Sequence, residues 1–98
     1  MGREYITYIM ASRRNGTLYV GATGNPIGRI WQHRNGVVPG FTKHYGVQRL
    51  VWYEPHDSRE YAFWREKQIK EWQRAWKIRL VESMNPNWDD LFEGLGPA

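Results

Sequence analysis

Tyr8, Tyr19, Arg29, His33 and Glu66 are the residues whose types and spacing could support chemistry in this chain. Glu66 is the most informative. On a helix it falls between Ala62 and Ile69 on one side and Phe63 on the other, inside an apolar stripe. A carboxylate placed there is costly unless it is paired or binds a metal. An internal salt bridge, with Arg29 as partner, is the alternative. Arg29 and His33 are four apart, hence neighbours on one helical face. Arginine can grip a phosphate through two parallel hydrogen bonds, and histidine can carry a proton near neutral pH. A solvated arginine and a surface histidine would give the same spacing. Tyr8 and Tyr19 lie in two short runs of β-branched and aromatic residues. They are either site tyrosines or core aromatics.

Positioning these side chains requires a small α+β layer. Tyr5 to Met10 reads as a strand, Arg13-Arg14-Asn15-Gly16 as a turn, and Thr17 to Gly21 as the returning strand. Alternation puts Tyr8 and Tyr19 on one face in either of two registers. A tight Asn15-Gly16 turn sets Tyr19 opposite Ser12 and leaves the tyrosines roughly 13 Å apart. A longer loop pairs them directly. Gly21 shares their face and could admit a phosphate or metal, or make a bulge. Asn25 can cap a helix that starts at Pro26 and stops at Gly36. Its apolar arc, Ile27, Ile30 and Trp31, is expected to face the sheet, with Arg29 and His33 at the border. Val37 to Gly46 reads as a loop. Arg49 to Glu54 is a third strand ended by Pro55. Asp57-Ser58-Arg59-Glu60 has the form of a capping box for a helix running to about Lys70. Another helix covers Gln73 to Glu82, and Trp88 to Phe92 adds a last turn. The order is β-β-α-β-α-α, a three-stranded sheet flanked by helices, forming one domain over residues 1–92 with a frayed tail over 93–98.

Composition narrows the chemistry. The 98 residues include no cysteine, which excludes disulfides and thiolate metal sites and suits a reducing cytoplasm. Fourteen basic against ten acidic residues give a formal charge of +4, which favours a polyanionic partner. No apolar run approaches the roughly 20 residues of a membrane helix, and the first residues lack a signal-peptide core. Six tryptophans suit packing ahead of base stacking. His44 and His56 lack metal spacing, and no glycine-rich phosphate loop or serine-nucleophile motif is present. Lys43, His44 and Arg49 could form a basic rim, or simply a solvated loop.

Together these residues resemble a family. Thr7-Tyr8-Ile9 and Tyr19-Val20-Gly21 look like the two name-giving tripeptides of the GIY-YIG nucleases. Arg29, His33 and Glu66 follow in the family's order. Asn-Gly-Thr-Leu-Tyr-Val-Gly at 15–21, Gly-Phe-Thr-Lys at 40–43, Arg-Glu-Lys-Gln at 65–68 and Asn-Pro-Asn-Trp at 85–88 resemble the small stand-alone bacterial members. The likeness runs from about Tyr5 to Leu91. It implies Tyr8 and Tyr19 as site tyrosines, Arg29 as phosphate-binding residue, Glu66 as ligand of one Mg²⁺ or Mn²⁺, and His33 as proton relay. Asn85 matches a site asparagine; a helix-ending cap is the alternative. Lys43 and His44 are expected along the nucleic acid, DNA ahead of RNA. The implied reaction is in-line hydrolysis leaving a 3′-hydroxyl and a 5′-phosphate. Thr7 departs from the family glycine. Ala22 stands near where some repair-type relatives carry a lysine. With no added DNA-binding domain, specificity is expected to be low or supplied by a protein partner. The rival readings are a nucleic-acid-binding module of the same fold that does not cut, and a protein-interaction domain using its tryptophans.

Overall fold

The computed structural model describes residues 4–37 and 40–95. Three antiparallel strands, β1 (Tyr5–Ala11), β2 (Leu18–Thr23) and β3 (Arg49–His56), form one sheet in the order β2-β1-β3. The helices are α1 (Pro26–Arg34), α2 (Phe41–His44), α3 (Arg59–Lys70), α4 (Arg74–Met84) and α5 (Phe92–Leu95). The three-stranded, helix-flanked α+β architecture is the one expected, with two single-turn helices added. One of these, α2, lies within the segment read as a loop, of which Val38 and Pro39 lie outside the described residues. The other, α5, begins at Phe92, where the last turn expected over Trp88 to Phe92 would have ended, and residues 88–91 are not helical. Leu95 packs against the core instead of fraying, and residues 96–98 lie outside the described residues.

Strand β1 is central and covered on both faces, so it is buried from Ile6 to Ala11. Alternation divides the core. Ile9 and Ala11 join Val20, Val51, Ile69, Val81 and Trp88 on one face, under α3 and α4. Ile6, Tyr8 and Met10 join Ile30, Val47 and Leu50 on the other, where Leu91, Phe92 and Leu95 pack against them. Thr7 is buried on the α3 face, and its hydroxyl donates to the Ala62 carbonyl at 2.7 Å. A glycine at this position would have no hydroxyl to offer. This bond ties β1 to the helix turn just before Glu66.

The β1–β2 register is neither of the two expected. Tyr8 pairs with Gly21 and Met10 with Tyr19. The Ser12 amide bonds the Thr17 carbonyl at 3.0 Å, closing a loop over residues 13–16 in which Asn15 takes the left-handed position at φ 56°. Strand β2 also extends past Gly21 to Thr23, and β3 passes through Pro55 to His56. Proline is tolerated there because β3 is an edge strand and can turn its missing amide outward. Between Ile9 and Met10 the β1–β3 register slips, so Val51 is an extra residue on β3.

Helix α1 caps as expected, the Asn25 side chain accepting from the Gly28 amide with Pro26 at the first turn. Its buried face differs: Ile30 and His33 are inside, while Ile27 and Trp31 are exposed. A histidine can replace an apolar residue there because both ring nitrogens find partners. On α3 the cap is Ser58, accepting from Tyr61, so Glu60 is one residue too early to complete a capping box. Phe63 is exposed under the Arg59 guanidinium, which leaves Glu66 at the border of the buried Ala62–Ile69 stripe.

Candidate active site

The diagonal register decides the geometry. Tyr8 lies across the strand from Gly21 with its ring over that residue: a Cβ on Gly21 would fall 2.5 Å from the Tyr8 hydroxyl. Gly21 thus serves neither a bulge nor a ligand directly. It makes room for the ring, which carries its hydroxyl toward the β2 edge of the sheet. Tyr19, two residues along, brings its ring centroid to 6.4 Å from that of Tyr8. His33 completes a triangle, 5.8 Å from Tyr8 and 5.3 Å from Tyr19.

A polar chain runs through the triangle. The Tyr8 hydroxyl meets His33 Nε2 at 3.0 Å, and His33 Nδ1 meets Thr42 Oγ1 at 3.2 Å. All three side chains are buried. Burial, and secondarily the Tyr19 hydroxyl, pushes the Tyr8 phenol far above its ordinary value, while a hydrogen bond and the charge of Arg29 pull the other way. The Glu66 carboxylate is near enough to disfavour the phenolate further. Burial, then the Arg29 charge, pushes the His33 imidazole down to about 4. At neutral pH the chain is therefore a neutral phenol against a neutral imidazole.

Helix α1 thus brings Arg29 and His33 to the tyrosines, and α3 brings Glu66, whose charge is felt at the same hydroxyl. Arg29 is half-buried and also reaches Gln32 Oε1 at 3.4 Å. The Glu66 side chain is 16% exposed, and its partner is not Arg29 but Lys70, one turn on, at 2.8 Å. That ammonium is itself half-exposed. Sequence reasoning missed Thr42, the anchor of the imidazole; the Gly-Phe-Thr-Lys run at 40–43 was the signal that could have found it.

Asn85 is not brought to this cluster. Its amide donates to the Val51 and Asp89 carbonyls at 3.1 and 2.8 Å, and its oxygen accepts from the Asp89 amide at 3.0 Å. It ends α4 and satisfies the carbonyl of the extra residue on β3, at the sheet edge away from β2. Arg49 leaves the expected basic rim as well, donating to the Trp88 carbonyl at 3.1 Å. Lys43 and His44 remain exposed on α2.

The donor set bears on metals. Among the described residues there is no group of three or more histidines and carboxylates able to cage an ion. One carboxylate at the site is compatible with Mg²⁺, which keeps several waters and takes its remaining contacts from substrate phosphates. It does not suit zinc, which needs three or four protein ligands.

Comparison with known proteins places the chain in a family. The family model described as the GIY-YIG catalytic domain matches residues 4–79, a span that holds Tyr8, Tyr19, Arg29, His33 and Glu66. A UPF0213 protein of Staphylococcus saprophyticus is 35% identical over 81 residues, covering 83% of this chain and 96% of that one. A UPF0213 protein of Natronomonas pharaonis is 36% identical over 81 residues, covering 83% of this chain and 94% of its own. Among solved structures, a UPF0213 protein of Bacillus halodurans superposes with a TM-score of 0.56 at 28% identity, covering 89% of this chain and 92% of that one.

Proposed function

Since the chain belongs to the GIY-YIG catalytic-domain family, whose domain is of nuclease type, we propose that it is a divalent-metal-dependent endonuclease hydrolysing phosphodiester bonds in structured or damaged DNA. The observation that carries the reading is the Tyr8–Tyr19–His33 triangle, with the charges of Arg29 and Glu66 acting on one buried hydroxyl. A structural core needs neither charge at that position.

Glu66 would hold one Mg²⁺ or Mn²⁺, whose chemistry there is Lewis-acid polarisation of the scissile phosphate. Arg29 binds the phosphate and offsets the charge that develops on its oxygens. Burial favours the protonated form of Tyr8 over a standing phenolate. The tyrosine acts instead as a conduit. With the His33 proton on Nδ1, directed at Thr42, the Nε2 lone pair accepts the Tyr8 proton as the tyrosine oxygen takes one from the attacking water. Phosphate binding assists this transfer. Once Arg29 is paired with the phosphate, its depression of the His33 basicity weakens.

The pairing of Glu66 with Lys70 favours a second reading, a domain that grips DNA without cutting, because the carboxylate already has a cation. A panel of single-stranded, duplex and branched DNA, and RNA, incubated with Mg²⁺ or EDTA, separates the two. Metal-dependent cuts leaving 3′-hydroxyl and 5′-phosphate ends support the nuclease. Binding without cleavage under every condition supports the binder. A cytoplasmic setting, a role in DNA repair and a protein partner that supplies specificity belong to the same proposal. No helix of the described residues is long and apolar enough to cross a membrane.

A further inference from the structure

The aromatic cluster does not stop at the catalytic triangle. The Tyr19 ring lies 6.1 Å from Phe41, Phe41 lies 4.8 Å from Tyr45, and Tyr45 meets His44 edge-on at 4.6 Å. The ladder begins at the buried Tyr8 and ends in solvent, with Phe41 46% and Tyr45 52% exposed. Neither ring belongs to either core cluster, so packing does not account for them. Their platform is nonetheless fixed. Thr42, between them in sequence, is buried and bonds His33, and the Val47 amide bonds the Thr42 carbonyl at 2.8 Å. The turn that carries the two exposed rings is thus anchored by the residue that holds the candidate catalytic imidazole. Lys43 and His44 stand exposed on the same turn.

We propose that Phe41 and Tyr45 form a stacking subsite for an unpaired nucleobase next to the scissile phosphate, so that the preferred substrate is single-stranded or locally unpaired nucleic acid. The inference rests on the reading of the Tyr8 face as a phosphodiester-cleaving site. Two features select this occupant over a protein. The ladder is continuous with the rings beside Arg29, where the phosphate is taken, so the next nucleotide is brought to it. Its flank carries the cation that a sugar-phosphate chain requires. A duplex cannot use it, because the faces of paired bases are covered by their neighbours and only a splayed base has a free face to stack.

The test measures binding apart from cleavage. Single-stranded and duplex oligonucleotides carrying the fluorescent base 2-aminopurine are titrated in EDTA with the parent and with Phe41→Leu/Tyr45→Leu, which keeps apolar bulk and removes the rings. The subsite requires fluorescence quenching by the parent at one position of the single strand. It also requires about 5- to 100-fold weaker single-strand binding by the leucine variant, the range for losing a base–aromatic stack, with duplex binding little changed. Phe41→Trp should retain the quenching. A second arm needs no variant: an abasic residue at the quenched position should weaken binding to the parent by a comparable factor. Equal affinity of parent and folded leucine variant for single strands, or indifference of the parent to the abasic residue, overturns the subsite, as does a patch that takes up a protein and leaves single strands unquenched. Stacking with no cleavage in Mg²⁺ removes the nuclease reading and leaves the subsite standing. Cleavage indifferent to the rings does the reverse.

Discussion

At the residue scale, the account turns on one hydroxyl and what surrounds it. Tyr8→Phe keeps the ring over Gly21 and removes only the oxygen that meets His33. Cleavage should fall by about 10² or more, the scale for losing a proton-transfer group, while a single-turnover assay on a protein of near-parent melting temperature checks it. Gly21→Ala attacks the same hydroxyl sterically, since the new methyl would sit 2.5 Å from it. It should lower both activity and stability, the latter by about 1–3 kcal/mol as overpacking does; a variant with parent activity and stability would show that the ring is free to move. His33 adds a pH signature. Its folded value of about 4 lies below the ordinary 6.5, so the unfolded chain binds the extra proton between those values. The stability it contributes is fully present above about pH 6.5 and is lost as pH falls toward 4. Melting should therefore weaken between pH 7 and pH 5 by about 2 kcal/mol more in the parent than in His33→Gln. These residues were legible in the sequence because chemistry restricts their types and order. Burial of His33 was not legible, because its partner Thr42 is neither charged nor at a helical spacing from it, and a histidine without visible partners belongs at a surface.

At the scale of elements, the sequence carried strands, helices and caps but left open how they lock. The hairpin shows why. Parity alone put the two tyrosines on one face, yet the turn residues did not fix the register. Ser12 pairing with Thr17 yields a spacing between the two expected ones. The apolar arc of α1 failed for a related reason. Ile27 and Trp31 lose to His33 because Tyr8 on the sheet and Thr42 on α2 give its ring polar partners there. Asn85 is the clearest case of a residue whose element explains it. Its type suited a site, but the extra residue Val51 on β3 leaves a carbonyl that its amide satisfies. Asn85→Ala should destabilise by about 1–3 kcal/mol, the cost of leaving buried polar groups unpaired, with cleavage per folded molecule unchanged. Thermal melts beside active-site-normalised rates test this, and lost activity without lost stability would return Asn85 to the site.

At the scale of the whole molecule, a sheet with both faces covered leaves the candidate site toward its β2 edge, where α1 and α3 carry a guanidinium and a carboxylate whose charges reach the Tyr8 hydroxyl of the central strand. The formal charge of +4 suits a polyanion. Affinity for DNA should accordingly drop steeply from low to moderate salt by counterion release, and a flat titration would argue against a surface that tracks phosphates. The central claim is that this edge hydrolyses phosphodiesters through Glu66. Because Lys70 is half-exposed, breaking its pair with Glu66 should cost little stability, about 1 kcal/mol or less. Glu66→Gln therefore isolates chemistry from folding. The decisive measurement is the rate of oligonucleotide cleavage in Mg²⁺ by parent and Glu66→Gln, each shown to be folded and to bind the same DNA. The account predicts cuts by the parent and none by the variant, whose binding is equal or tighter. A folded Glu66→Gln that cuts at the parent rate would contradict it.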